Sequence, residues 1–331
     1  MFTRLLLAGV LAFVGTAGIT SVGGTAAGAA DARPEPETFE FALIGDVPYS
    51  DFEVTNSFPN LIEEVNQAPL AFVIHDGDIK SGSTACTAEL FRSRYAQFQT
   101  LAHPLIYIPG DNEWTDCGRV KTNSLAPEAA LDLLREIFCQ GSESLGQRQL
   151  PLVRQSEAQP EHRAYRENVR WAYGGVMFAG LNLPGSGNNF GRSEFAARQA
   201  ANLAWLRDSF AVAHREKSRA LMLIIQANPR FDLAATNQLR AGFNEWLAAL
   251  ERETIAFDRP VVLVHGDSHY FRIDKPLVSS RSGRRIEHFT RVETFGHPDA
   301  HWVRVRVDAR DPEVFSFHPQ IVAKNRLRHD P

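Results

Sequence analysis

Phe41-Ala42-Leu43-Ile44 runs straight into Gly45-Asp46-Val47-Pro48-Tyr49. That join, an apolar run meeting a glycine and then an acid, decides how the chain reads. It recurs where Ala71-Phe72-Val73-Ile74 leads to Gly77-Asp78-Ile79-Lys80, and where Leu105-Ile106-Tyr107-Ile108 leads to Gly110-Asp111-Asn112-Glu113. It recurs again where Val261-Val262-Leu263-Val264 meets His265-Gly266-Asp267-Ser268-His269. A fifth run, 220–225, ends at Gln226-Ala227-Asn228-Pro229. A buried strand that stops at a glycine turn can hold out one acid, amide or imidazole. Several such strands side by side assemble a site from distant parts of a chain.

Between these joins the period changes. Leu61, Ile62 and Val65 recur at helical spacing. Residues 89–101 and 127–138 also read as helices, the second with Pro127 suited to a first turn. Strand alternating with helix predicts a largely parallel sheet covered on its faces. Residues 142–168, rich in Gln, Glu, Arg and Pro, read as a cap-like surface loop that could overhang a site. Residues 169–173 and 176–181 read as strands paired across Gly174-Gly175, and 184–189 as a loop. Leu203, Leu206 and Phe210 mark one amphipathic helix; Phe243, Trp246, Leu247 and Leu250 mark another. Residues 302–307 alternate strictly, as a half-exposed antiparallel strand does, and 314–317 continue in that style.

The chain has 331 residues. Arg4, the apolar residues 5–14 and the small-residue site Ala27-Gly28-Ala29 make 1–29 an expected secretory leader. The apolar stretch is too short for a spanning helix. Residues 30–331 are then expected as a single secreted or periplasmic domain. The net charge of −4 becomes −5 when Arg4 leaves with the leader. Such a mildly acidic chain gives no electrostatic case for a nucleic-acid or membrane-surface partner. Of three cysteines, Cys86 and Cys117 follow Asp78 and Asp111 on loops leaving one sheet edge. They are the expected disulfide in an oxidising compartment, with Cys139 a buried thiol. G-x-S-x-G, G-x-x-x-x-G-K-[ST] and H-E-x-x-H are all absent.

The five blocks in this order, from about residue 39 to about residue 275, resemble the calcineurin-like metallophosphoesterases. That family is described by D-x-H, G-D-x-x, G-N-H-[DE], H and G-H-x-H. The resemblance implies an α/β four-layer sandwich, two mixed sheets flanked by helices, with two divalent metal ions at its rim. It implies Asp78 as the bridging ligand, and Asp46 and His269 as ligands of the first metal. The chain departs from the pattern at several positions. Pro48 stands where a ligand histidine belongs. Asp111 replaces an asparagine ligand, and Asn112 replaces a histidine that helps stabilise the reacting phosphate. Gln226, or Asn228 in a shifted register, stands for the fourth block's histidine, and Asp267 replaces the first histidine of the fifth. Carboxylate and amide oxygens suit Mg, Mn or Ca rather than the Fe and Zn that imidazole favours.

Taken singly, Asp46, Asp78 and Asp111 could each be a turn aspartate, but three in family order favour a metal site. His75 and His265 end apolar strands; each is a candidate leaving-group acid or a hydrogen-bonded core histidine. Tyr49, Asn189 and Arg272 are candidate contacts for a small phosphorylated substrate, with solvated surface as the alternative. The expected activity is hydrolysis of a phosphoester by a cation-activated water. Its rival is a catalytically degraded binding protein on the same scaffold.

Overall fold

The computed structural model describes residues 36–119 and 123–326, so the expected leader lies outside the described residues. Twelve strands form there: β1 (Thr38–Ile44), β2 (Val73–His75), β3 (Leu105–Tyr107), β4 (Val153–Arg154), β5 (Val169–Tyr173) and β6 (Val176–Gly180). They are followed by β7 (Ala220–Ile224), β8 (Val261–His265), β9 (Arg272–Asp274), β10 (Phe289–Glu293), β11 (Trp302–Asp308) and β12 (Phe315–Gln320). One sheet has the order β12-β11-β1-β2-β3, the other β4-β5-β6-β7-β8-β10-β9. Each is parallel at its centre and antiparallel toward an edge: β1, β2 and β3 run together, as do β6, β7, β8 and β10.

The layering follows from the period of two along the buried strands. Phe41 and Leu43 of β1 point into a core shared by both sheets, while Ala42 and Ile44 meet the helices on the other side. On β7, Met222 and Ile224 face that shared core, while Leu221 and Leu223 face the helices Phe195–Arg215 and Asn244–Phe257. Both faces of these strands are buried, which is why the runs read as continuous apolar sequence. Phe41, Phe72 and Phe178 pack together between the sheets, with ring centroids 4.7–5.5 Å apart. The result is the expected four-layer α/β sandwich, with helices outside two mixed sheets.

The hairpin predicted at Gly174-Gly175 forms, with both glycines at positive φ (56° and 75°), as a tight two-residue turn requires. Residues 302–307 lie in β11, an antiparallel neighbour of both β1 and β12. Residues 142–168 take a different part from the cap the sequence leads one to expect. They supply β4, the edge strand of the seven-stranded sheet, and short helices at Gln155–Ala158 and Pro160–His162. Buried Gln155 ties the stretch to the Phe195–Arg215 helix by donating to Ala201 O at 2.8 Å. The Cys86–Cys117 disulfide is present, and Cys139 is a buried thiol. No helix among the described residues is long and apolar enough to cross a membrane.

Candidate metal centre

The carboxyl ends of β1, β2 and β3 from one sheet and of β7 and β8 from the other open onto one acidic cleft of about 700 Å³. Asp78, Asp111, Asp267, His269, Asn112 and Tyr49 all line it. Asp46 lies just beneath, fully buried, and accepts the Asp267 N–H at 3.1 Å. Asp46, Asp78, Asp267 and His269 all have left-handed backbone (φ 50°, 59°, 74° and 57°), a conformation that costs non-glycine residues energy and gathers at functional turns. Two neighbouring glycines are demanded by close approach. A Cβ on Gly266 would stand 2.0 Å from Asp46 Oδ2, and one on Gly110 the same distance from Asp78 Oδ1.

The carboxylates are crowded and poorly solvated. Burial, then the charges of Asp76 and Asp267, raise the Asp46 carboxyl well above the usual range. Burial, then Asp111 and Glu113, do the same to Asp78. Asp267 is pushed up to about 7 by burial and then Asp111, and Asp116 to about 6 by the same two causes. His269 is set as a metal ligand would be. Its Nδ1–H donates to His297 O at 2.7 Å, which leaves the Nε2 lone pair directed at the cleft, 3.6 Å from Asp46 Oδ1. Oxygen-rich donors, mutual repulsion and one oriented imidazole are a donor set that fits a hard divalent cation.

The donors do not close around a point on their own. Among the described residues no three His, Cys, Asp or Glu side chains form a ligand-distance cluster. The Tyr49 hydroxyl stands between them instead. It donates to Asp78 Oδ2 at 2.9 Å and lies 3.2 Å from His269 Nε2 and 3.4 Å from Asp46 Oδ1. It accepts from Asn112 Nδ2 at 2.8 Å. Burial, then Asp78 and Asp46, raise the phenol well above its usual range, so it stays protonated.

The remaining residues singled out from the sequence divide sharply. Gln226 is buried at the rim, but its oxygen accepts the Gly185 N–H at 2.6 Å and its amide donates to Asp78 Oδ2 at 3.1 Å. Asn228 donates its backbone N–H to Asp267 Oδ2. His75 does not reach the cleft. It is buried against Phe58 and Phe98, its Nε2 3.0 Å from Val47 O and its Nδ1 accepting from Gly77 N–H, and burial lowers it to about 4. His265 is likewise buried, its Nδ1 donating to Gly266 O and its Nε2 4.0 Å from Glu293, and burial lowers it to about 3. A strand-end residue faces either the rim or the core by parity, and both histidines fall on the core side. Asn189 is buried on Thr115 and Glu194, and Arg272 pairs with Glu293 at 2.6 Å; neither lines the cleft.

Four residues enter that sequence reasoning missed or misplaced. Glu113 is a brace: it accepts from the N–H groups of Asp78, Ile79 and Gly110 and from Tyr107 Oη at 2.6 Å. Asp76 is fully buried beside Asp46, with one oxygen on Thr294 and the other without a partner. Asp116 and Ser186 line the cleft, Ser186 Oγ donating to Asp111 Oδ2 at 2.7 Å and lying 3.1 Å from Asp116 Oδ1. Asp76, two residues before Asp78, had a signal in the Asp-Gly-Asp spacing; Ser186 had none.

No family description and no curated protein matches this chain. Among solved structures, PhoD is similar with a TM-score of 0.53 at 13% identity, covering 83% of this chain; this chain spans 65% of that structure. The purple acid phosphatase PPD1 from yellow lupin (Lupinus luteus) seeds has a TM-score of 0.47 at 11% identity, over 85% of this chain and 53% of that one. GAP50, described as the anchor in the inner membrane complex of Plasmodium, has 0.46 at 9% identity, over 86% and 89%. The likeness to PhoD shows the fold, two mixed sheets flanked by helices.

Proposed function

We propose that this chain is an exported, metal-dependent phosphoesterase. One observation carries the reading. Four aspartates and one oriented histidine, from the ends of strands in two sheets, meet at a single cleft in the order of the family's blocks. Asp46, Asp78, Asp111, Asp267 and His269 would hold the cations, with Asp78 shared between two and Gln226 close behind. The oxygen-rich set favours Mg, Mn or Ca over Fe or Zn. Such a pair, when bound, neutralises phosphoryl oxygens and activates a water. Ligation requires the Tyr49 hydroxyl to move aside or to join the donors. Asn112 and, while it keeps its proton, Tyr49 would then be hydrogen-bond donors within the cleft for phosphoryl oxygens.

The disulfide is consistent with an oxidising compartment, which supports a secreted or periplasmic location. The substrate is a small phosphorylated molecule, and no nucleic-acid or membrane partner is proposed. His75 and His265 are enclosed in the core, and His297, stacked on Tyr49, has its Nδ1 on Glu53 at 2.7 Å and does not line the cleft. The chemistry therefore suits esters whose leaving groups need little proton assistance.

A non-catalytic binding protein is the second reading, favoured by the Tyr49 phenol that satisfies Asp78 and Asn112 internally. The test is hydrolysis of a nitrophenyl phosphomonoester and a bis-nitrophenyl diester with Mg, Mn, Ca and Zn, with and without chelator, alongside metal analysis. Chelator-sensitive turnover supports the enzyme. Bound metal with no turnover supports the second reading, and neither metal nor turnover overturns the metal site altogether.

A further inference from the structure

A second cleft of about 590 Å³ adjoins the acidic one, and the two share Ser186 and Asp267. Its character differs. Phe190, Leu239 and Phe243 give it apolar walls. Phe190 and Leu239 are 60% and 61% exposed. Large apolar side chains held out in solvent around a concave site mark a contact surface for an apolar group.

The divider between the clefts is a strained and well-anchored turn. Residues 186–189 are four successive left-handed residues (φ 50°, 66°, 56° and 53°), of which only Gly187 adopts that backbone freely. Asn tolerates it better than most residues, whereas Ser186 is strained there. Arg198, 1% exposed, holds the turn by donating to Asn188 Oδ1 at 2.6 Å and Asn188 O at 2.9 Å. Asn188 Nδ2 donates to Gly242 O at 2.8 Å, and Asn189 Nδ2 to Thr115 and Glu194. The turn hands Ser186 to the acidic side, on Asp111, and Phe190 to the apolar side. Strain kept by so many buried contacts points to function.

We propose that the second cleft receives the apolar organic group of a phosphate ester whose phosphoryl end lies against Asp78, Asp111 and His269, with the 186–190 turn setting the angle between the two ends. The ester preferred is one of a flat, apolar phenol rather than of a small polar alcohol. This rests on the phosphoesterase reading, and the commitment to one occupant follows from the shared Ser186 and Asp267: a group attached to a phosphoryl bound at the first cleft has the second as its neighbouring space.

The experiment is calorimetric binding of benzylphosphonate and methylphosphonate to the mature chain loaded with Mn. Burial of a phenyl group contributes about 1.5–3 kcal/mol, so benzylphosphonate should bind at least about tenfold tighter. Phe190→Ser and Leu239→Ser should each take part of that ratio, and together bring it to within about twofold. Both side chains are exposed, and melting curves verify folding. Ile255→Ser, a comparably exposed apolar site outside both clefts, should leave the ratio as it is. Equal binding of the two phosphonates by the wild type, or an undiminished ratio in the double variant, overturns the proposal while the phosphoryl site stands. No binding of either phosphonate with Mg, Mn, Ca or Zn overturns the phosphoesterase reading, and this proposal with it.

Discussion

Glu113 and Asp46 are both fully buried carboxylates at the same rim, yet their surroundings are opposite. Glu113 gathers three backbone N–H groups and the Tyr107 hydroxyl, so its oxygens are saturated by the protein. Asp46 has the Asp267 N–H and a long contact from Tyr49, and stands beside Asp76 and Asp267, which repel it. One carboxylate is finished by the fold; the other is left unsatisfied, as the proposed cation site requires. Burial alone therefore does not identify a ligand. What identifies it is burial without internal satisfaction, in the company of like charge.

The comparison breaks most easily by mutation. Glu113→Ala strips four donors of their acceptor and should lower stability by about 4 kcal/mol or more, given roughly 1–3 kcal/mol for each buried unpaired group. Asp46→Asn should do the reverse in metal-free protein, raising the melting temperature by replacing a carboxyl whose charged form burial and its neighbours penalise, while abolishing the shift on adding Mn. Denaturant and thermal melts of both variants decide it. If Asp46→Asn destabilises the metal-free protein as Glu113→Ala does, the two carboxylates are alike and the distinction fails. For activity the ranking falls on Asp78. Asp78→Asn should cost about a thousandfold, or roughly 4 kcal/mol, more than any other ligand change, because a shared ligand holds both cations. Near-wild-type turnover in Asp78→Asn beside a dead Asp46→Asn would move the bridge elsewhere.

The same contrast has a pH signature. Asp267 is raised to about 7, so the folded chain keeps its proton where the unfolded chain has released it. That stability is present below the ordinary carboxylate range and is lost as pH rises through about 7. His75 and His265 are lowered to about 4 and about 3, so the unfolded chain binds protons first as pH falls below the ordinary histidine value, and stability is lost in that direction. Metal-free protein should melt highest on the acid side of neutrality, and the rise in melting temperature on adding Mg or Mn should be larger at pH 8 than at pH 6. A cation shift independent of pH would mean that cations and protons do not compete for the cleft.

The disulfide sharpens the comparison from outside the cleft. Cys86 and Cys117 are 31 residues apart and tie the loops after β2 and β3, which carry Asp78 and Asp111. Closing such a loop contributes about 3 kcal/mol, chiefly through the unfolded chain. The Cys86→Ala, Cys117→Ala double variant should melt several degrees lower yet keep its cation shift. Peptide mapping under non-reducing conditions that finds both thiols free in exported protein would refute the bond.

Much of this was readable in sequence because it depends on neighbours along the chain. Residues 41–44 announce a strand buried on both faces, and the glycine and acid that follow announce its end at a rim. The Gly174-Gly175 turn and the alternation of 302–307 are equally local. What was not readable depends on contacts far apart. Tyr49 reads from sequence as a substrate contact at the rim, yet it stands among the donors because its ring packs against His269 and His297, more than 200 residues away in sequence. Ser186 reaches Asp111 only through a left-handed turn held by Arg198. Residues 142–168 look like a cap by composition but become a sheet edge because β5 needs a partner there.

The smallest expected effect concerns proton delivery. Asn112 faces the cleft and can donate to a phosphoryl oxygen, but it has no proton to give a departing alkoxide. His75 and His265 sit in the core with their ring protons engaged by, or turned toward, core partners. Turnover should therefore fall steeply as leaving-group pKa rises in a series of aryl and alkyl phosphates, and His75→Ala and His265→Ala should leave that slope where it is in whatever fraction stays folded. Asn112→His should flatten it by placing an imidazole where the cleft has an amide, speeding alkyl esters by roughly 10²-fold while nitrophenyl esters change little. A slope already flat in the wild type would show that another group delivers the proton. A slope that steepens only in His265→Ala would show that His265 reaches the substrate after all, and that its enclosure in the core does not hold during turnover.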